Sequence, residues 1–451
     1  MQRIALTALL LGLALCGCAD DGAPPAAGSS PAATTPAAAG EPAAGEPAAG
    51  EPGAGGPGAG RSAAAEPAGI DPRPIHAGAL TLDSHVDIPL DYATAAVDPL
   101  DAEEQVNLLK MVEGGLDAAF FIVYVGQTQR TPENYAQASA DAQTKFDAIR
   151  RMTTELYPER ITLAYRADDV ERIAAEGRLV AAIGIENGYA LGPELGELDR
   201  YYELGARYVT LVHNGHNDLA DSAQPRAQLG DVAAEHGGIS ELGARAIRRM
   251  NELGIMVDIS HASKQTALEA TQLSAAPVIA SHSSVRAVAN HARNLDDETL
   301  LALRDNGGVV QIVAFEDYVK TEPPERAAAM RALEASLGLE PPVDPAALPE
   351  EQRFAFLRGV RDINAQWPPA NVQDLVDHID YAVELIGIDH VGISSDFGGG
   401  GGIIGWTDAR ETPNVTYELV ARGYTEEEIR KVWSGNLLRV WREAERIAAE
   451  L

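Results

Sequence analysis

Eight short β-branched runs, separated by stretches with helical patterning, constrain this chain more than any other feature. They read TLDSHVD (81–87), DAAFFIVY (117–124), VAAIGIE (180–186), RYVTLVH (207–213), IMVDISH (255–261), PVIASH (277–282), GVVQIV (308–313) and HVGISSD (390–396). Helical stretches such as ELGARAIRRMNELG (241–254) and VQDLVDHIDYAVELIG (372–387) lie between them. Alternating β and α units imply a parallel sheet, and eight of them over residues 73–451 predict an α/β fold of the (β/α)8 TIM-barrel type. The segment 314–371 exceeds an ordinary connection and is expected as a helical insertion after the seventh strand. There it overhangs the rim, and it suits a lid and a peripheral helical hairpin equally well.

Six of the eight runs end in ionisable residues. The first closes on His85 and Asp87, the third on Glu186, the fourth on His213, the fifth on His261, the sixth on His282 and the eighth on Asp396. In a parallel barrel all these ends meet on one face, where active sites are built. Burying so many polar groups together is costly unless something charged binds them. Imidazole nitrogen and carboxylate oxygen are the ligands that zinc and related divalent ions take in hydrolytic sites. The set exceeds the needs of one tetrahedral ion and suits a pair sharing a carboxylate. In TLDSHVDIPL, strict alternation places Leu82, Ser84, Val86 and Ile88 on one side and Asp83, His85 and Asp87 on the other. Asp83 then lies deeper than His85 and Asp87, as a supporting partner and not a ligand. His216 is expected as a solvated loop residue, and His76, His236, His291, His378 and His390 as structural or exposed.

Cys16 and Cys18 are the only cysteines. If the chain is processed at Cys18, disulfides, zinc–thiolate sites and cysteine nucleophiles are excluded. The formal net charge is −32; residues 1–72 hold seven acids and two bases, leaving −27 for the rest. A domain so acidic repels nucleic acid and anionic lipid.

The motifs DSHVDIP, GIENG, LVHNGHNDLADS, VDISHAS, PVIASHSSVRAV, ARNLDDETL, GISSDFGG and GNLLRV together resemble the membrane dipeptidase (renal dipeptidase) family, peptidase family M19, of the amidohydrolase-like metallopeptidases. The resemblance runs from about residue 80 to residue 445. It implies two zinc ions per chain, other divalent ions being acceptable, with His85 and Asp87 on one, His261 and His282 on the other, and Glu186 bridging both. It implies hydrolysis of the single peptide bond of a dipeptide by a metal-bridging hydroxide, with tolerance for a D-residue at the C-terminal position. In that scheme Asp396 is the general base, His213 contacts the scissile carbonyl, and Arg293 in HARNLDDE holds the substrate carboxylate. The plain alternative for Arg293 is a surface salt bridge with Asp296 or Asp297. YVGQTQ and HNGHND lack the cysteines common in the family at these places, and HNGHNDLADS lacks a frequent tryptophan. The same ions would equally serve an amidase or lactonase acting on N-acyl amino acids or lactones. A non-catalytic surface lipoprotein on the same barrel is the third reading.

The chain opens MQRIALTALLLGLALCGCADD. This apolar run is too short to span a membrane comfortably and reads as a signal peptide over residues 1–18. LCGC resembles a bacterial lipoprotein cleavage box, which would make Cys18 the lipidated first residue. Residues 19–72, with GEPAAGEPAAGEP inside them, are too poor in apolar side chains to build a core and read as a disordered tether. The expectation is an extracytoplasmic lipoprotein, periplasmic or on the cell surface, touching the membrane only through its lipid anchor. A homodimer is compatible with this reading.

Overall fold

The computed structural model describes residues 70–451 apart from 342 and 344, so the expected signal peptide, the expected lipidation site at Cys18 and nearly all of the expected tether lie outside the described residues. The described chain enters through a helix at Pro72–Gly78, capped by the Asp71 carboxylate, which accepts from the Arg73 N–H. The helix therefore takes in residue 72, the last assigned to the tether.

Nine parallel strands follow: β1 (Leu82–Asp87), β2 (Ala118–Tyr124), β3 (Ile161–Leu163), β4 (Leu179–Glu186), β5 (Ala206–Thr210), β6 (Met256–Asp258), β7 (Ile279–Ala280), β8 (Val309–Val313) and β9 (Val391–Ser394). Eight pair in the order β1-β2-β4-β5-β6-β7-β8-β9, and β3 hangs from β4 outside that path. Val86 bridges Phe397 just beyond β9, and the Asp87 N–H donates to the Phe397 carbonyl at 2.8 Å, which closes the barrel. The eight predicted strands are all present. β3 was not anticipated, because three residues are too few to show a period.

Apolar side chains cover both faces of these strands, as a sheet sandwiched between a barrel interior and a helical coat requires. Leu82, Phe120, Ile122, Val180, Tyr208, Met256, Ile279 and Val309 belong to one cluster, which Leu437, Leu438 and Trp441 join from the helix Asn436–Ala448. Phe121, Val123, Ile183, Ile185, Val209, Val257 and Ile312 face the surrounding helices in the other. Toward the C-terminal strand ends, buried Ser84, Thr210, Asp258, Ser281 and Gln311 succeed the apolar residues. The interior thus changes from apolar to polar on approaching the rim. The expected insertion contains the helices Pro324–Leu337 and Glu350–Gln366, which pack on each other. Among the described residues no helix is long and apolar enough to cross a membrane.

Two local features depart from regular strands. The β1–β2 register shifts between Asp83 and Val86, so one extra residue of β1 is accommodated there. This bulge breaks the strict alternation expected for TLDSHVDIPL: Leu82 packs in the interior cluster and Val86 in the outer one, although they share a parity. The other is a glycine: Gly184 on β4 lies opposite Tyr208 on β5, and a Cβ at 184 would collide with the Tyr208 ring.

Asp83 secures the seam. Its Oδ1 accepts from the N–H groups of His85 (3.2 Å) and Ser395 (3.0 Å), joining β1 to the segment after β9. Its Oδ2 has no hydrogen-bond partner among the described residues. Burial pushes this carboxyl from its ordinary 3.8 up to about 6. An acid that titrates higher in the fold than in the unfolded chain favours the fold most below about pH 4, and loses that advantage as pH rises through about 6. In urea unfolding of the metal-free protein, the wild type should therefore lose about 2 kcal/mol relative to Asp83→Asn between pH 4 and pH 7. Parallel curves for the two proteins would contradict the assignment. Gly184→Ala should cost about 1–3 kcal/mol in the same assay, through overpacking against Tyr208.

Candidate active site

The ladder of β4 runs on until Tyr124 and Glu186 lie side by side, so Glu186 reaches the rim from within a regular strand. His85 and Asp87 likewise lie within β1, whereas the remaining rim residues stand beyond their strands. β5, β6, β7 and β9 stop at Thr210, Asp258, Ala280 and Ser394, and His213, His261, His282 and Asp396 follow two or three residues later. His261 (φ 64°) and Asp396 (φ 58°) take left-handed backbone, and so does Asn187 (φ 80°) directly after Glu186. Such conformations are uncommon for residues with a Cβ and concentrate where a site imposes them. They turn the chain sharply at the strand ends, a geometry invisible to a period-2 reading.

Glu186 stands at the centre of the group. Its Oε1 lies 3.0 Å from His261 Nε2, 3.4 Å from His282 Nε2 and 3.8 Å from His213 Nε2. Its Oε2 lies 3.5 Å from His85 Nε2. His85 Nε2 is also 3.4 Å from Asp87 Oδ2 and 3.9 Å from Asp396 Oδ1. Three overlapping groups result, each compact enough to hold a metal ion: His85, Glu186 and His282; Glu186, His213 and His261; His85, Asp87 and Asp396.

Each of three histidines is oriented from behind through Nδ1. Tyr208 gives its proton to the Ser84 carbonyl (3.0 Å) and so accepts from His85 Nδ1–H (2.9 Å). Asn214 Oδ1, which can only accept, takes the His261 Nδ1 proton at 3.0 Å. Ser281 Oγ donates to Asp258 Oδ2 at 2.6 Å and thus accepts from His282 Nδ1–H at 2.8 Å. In His261 and His282, whose burial favours the neutral ring, the Nε2 lone pair then faces the centre, and His85 turns its Nε2 to the same point. The Nε2 atoms of His261 and His282 stand only 3.0 Å apart, where two lone pairs repel unless a cation lies between them. His85 Nε2 has no hydrogen-bond partner among the described residues. These orphaned donors, with carboxylates on both sides, fit divalent cations held by nitrogen and oxygen.

The electrostatics point the same way. Burial holds His261 and His282 well below the usual histidine range. Burial also opposes a charge on His85, but the neighbouring Glu186 and Asp87 outweigh it and raise that imidazole well above its ordinary value. Burial alone would raise Glu186; His213 and His85 overcome this and hold it well below the carboxylate range. Asp396 goes the other way, raised well above it by burial together with Asp87 and Glu186.

Arg293 is 2 % exposed, which excludes the surface salt bridge; Asp296 pairs instead with Lys264 at 2.6 Å. Its Nη1 donates to Ser283 Oγ (3.3 Å) and its Nη2 to the His282 carbonyl (3.1 Å), and the guanidinium lies 5.2 Å from the Tyr318 ring. Arg293 Nε has no hydrogen-bond partner among the described residues. His216 is a correction: it is 1 % exposed, not solvated. Its Nδ1 accepts from the Ser222 N–H and its Nε2 donates to the Val232 carbonyl, both linking parts of the rim loop that no local pattern relates. Tyr208, Asn214 and Ser281 were not singled out from sequence. The only available signal was their place within or beside motif residues.

Residues 71–451 match the model of the membrane dipeptidase family, peptidase family M19. The chain is 31% identical over 354 residues to the dipeptidase tcpJ of Claviceps purpurea, covering 77% of this chain and 71% of that one. It is 30% identical over 352 residues to the dipeptidase aclJ of Aspergillus oryzae, covering 77% and 72%. Among solved structures it resembles the probable dipeptidase PvdM of Pseudomonas aeruginosa, with a TM-score of 0.73 and 34% identity over 83% of this chain and 98% of that one. With eight barrel strands delivering a metal-binding rim and nearly all of the described chain matched, the protein belongs to the membrane dipeptidase family of metallopeptidases.

Proposed function

We propose that this chain hydrolyses the peptide bond of dipeptides, including those with a C-terminal D-residue, using two divalent ions that we read as zinc. The observation that carries the reading is the Glu186 carboxylate, which offers one oxygen to His261 and His282 and the other to His85. His85 and Asp87 would hold one ion, His261 and His282 the other, and Glu186 both. Bound there, the ions supply Lewis acidity, lowering the pKa of a water and polarising the scissile carbonyl.

The chain's own residues do the rest. Asp396 accepts the proton of the attacking water at its carboxylate and returns it to the leaving amine. The His213 side chain remains 17% exposed, with its ring 4.1 Å from that of His261, so a substrate can reach it. It donates to the carbonyl oxygen as negative charge develops there. Arg293, with two nitrogens anchored on Ser283 and His282, binds the free carboxylate of the dipeptide, which limits the enzyme to substrates ending one residue past the scissile bond. The reading of the N-terminus extends the proposal: LCGC supports lipidation at Cys18 and anchorage outside the cytoplasm, the tether holding the barrel off the membrane.

With zinc supplied, L,L and L,D dipeptides should be cleaved, and N-acyl amino acids and lactones should not; no cleavage of any dipeptide would overturn the reading. Arg293→Ala should raise KM for free dipeptides about 10- to 100-fold and leave C-terminally amidated analogues unchanged. Asp396→Asn should lower kcat about 100- to 10,000-fold with metal content intact. Metabolic palmitate labelling of the wild type, absent in Cys18→Ser, tests the anchor.

A further inference from the structure

Below the rim histidines lies a buried carboxylate that none of the steps above uses. Asp258, at the end of β6, is fully buried. Its Oδ1 accepts from the N–H groups of Ser260 (3.0 Å) and Ser281 (2.8 Å). Its Oδ2 accepts from the hydroxyls of Thr210 and Ser281. Four donors thus surround the Asp258 carboxylate in the barrel interior, and among the described residues no basic side chain pairs with it.

The Ser281 hydroxyl has one proton. The 2.6 Å contact with Asp258 takes it, well inside the 3.4 Å separation from Ser260 Oγ. Toward His282 Nδ1, 2.8 Å away, Ser281 is therefore an acceptor. His85 and His261 are backed by a phenol and an amide, both neutral. Of these three Nδ1 atoms, only that of His282 reaches a carboxylate through a single hydroxyl; the Tyr208 hydroxyl behind His85 neighbours Ser281 but gives its proton to the Ser84 carbonyl. A carboxylate acting through a hydroxyl fixes the Nδ1–H tautomer and raises the basicity of Nε2, the atom that faces Glu186.

We propose that Asp258, acting through Ser281, is a positioning residue that sets the affinity of the ion at His261 and His282 far more strongly than that of the ion at His85 and Asp87. The inference rests on the two-ion reading above. Its rival is that Asp258 only clasps β5, β6 and the segment after β7 together.

Ser281→Ala separates the two, because it keeps the bonds of Asp258 to Thr210 and to both backbone N–H groups. Zinc titration of the metal-free full chain in a chelator buffer should give two bound ions for the wild type. In Ser281→Ala one ion should weaken about 10- to 100-fold and the other by less than about 3-fold. Ser281→Thr, which keeps the hydroxyl, should bind both ions as the wild type does. Nitrogen-15 NMR of the metal-free wild type should show His282 as the Nδ1–H tautomer, a measurement that needs no variant to fold. Two ions bound with wild-type affinity in Ser281→Ala, equal weakening in the Ala and Thr variants, or an Nε2–H tautomer of His282 in the wild type would each overturn the proposal. Fewer than two ions in the wild type would instead overturn the two-ion reading.

Discussion

The rest of the structure depends on one buried carboxylate surrounded by imidazoles. Glu186 brings its two oxygens to histidines from four other segments, at a place where water does not compensate the charge. Carboxylates and lone pairs crowded this closely are stable only if cations join them or if protons redistribute among them. The opposed shifts of Glu186 and Asp396 express that crowding: its histidines hold one carboxyl below the carboxylate range, while burial and the neighbouring carboxylates raise the other above it.

The barrel is built to keep those groups in place. Its lower interior is filled with apolar side chains and capped by the helix carrying Trp441, so water has no route from below. Above it, hydroxyls, amides and the Asp258 carboxylate form a polar layer whose hydrogen bonds are directed at the backs of the rim histidines. Tyr208 shows the coupling between packing and chemistry. Its ring crosses the interior only because Gly184 leaves room for it, and its hydroxyl then orients His85 from the opposite side of the barrel. The fold and the site share the same residues, and neither can be repacked alone.

Much of this was legible in the chain. The runs at 81–87, 117–124, 180–186 and 308–313 coincide with strands to within a residue, because apolar β-branched sequence covers both faces of a parallel strand. The residues that end the runs do meet at one rim, and Arg293 joins them from a loop. What escaped detection depends on contacts between distant segments. The bulge in β1 answers to the seam with β9, and the left-handed turns at His261 and Asp396 answer to the centre they must reach. His216 is a loop residue as expected but looked solvated, because its partners Ser222 and Val232 lie in a loop without periodicity.

The sequence by itself determined the eight-unit barrel, the acidic character of the domain, the absence of thiol chemistry beyond the first eighteen residues, and the identity of the ionisable residues at the strand ends. Those properties follow from local periodicity and residue type, which need no partner. The tertiary structure decided which oxygen of Glu186 faces which histidine, which ring nitrogen each histidine presents, and that Arg293 is buried beside Ser283 and His282 and not on the surface. These depend on distances of three to four ångströms between segments tens to hundreds of residues apart, and only the closed barrel sets such distances.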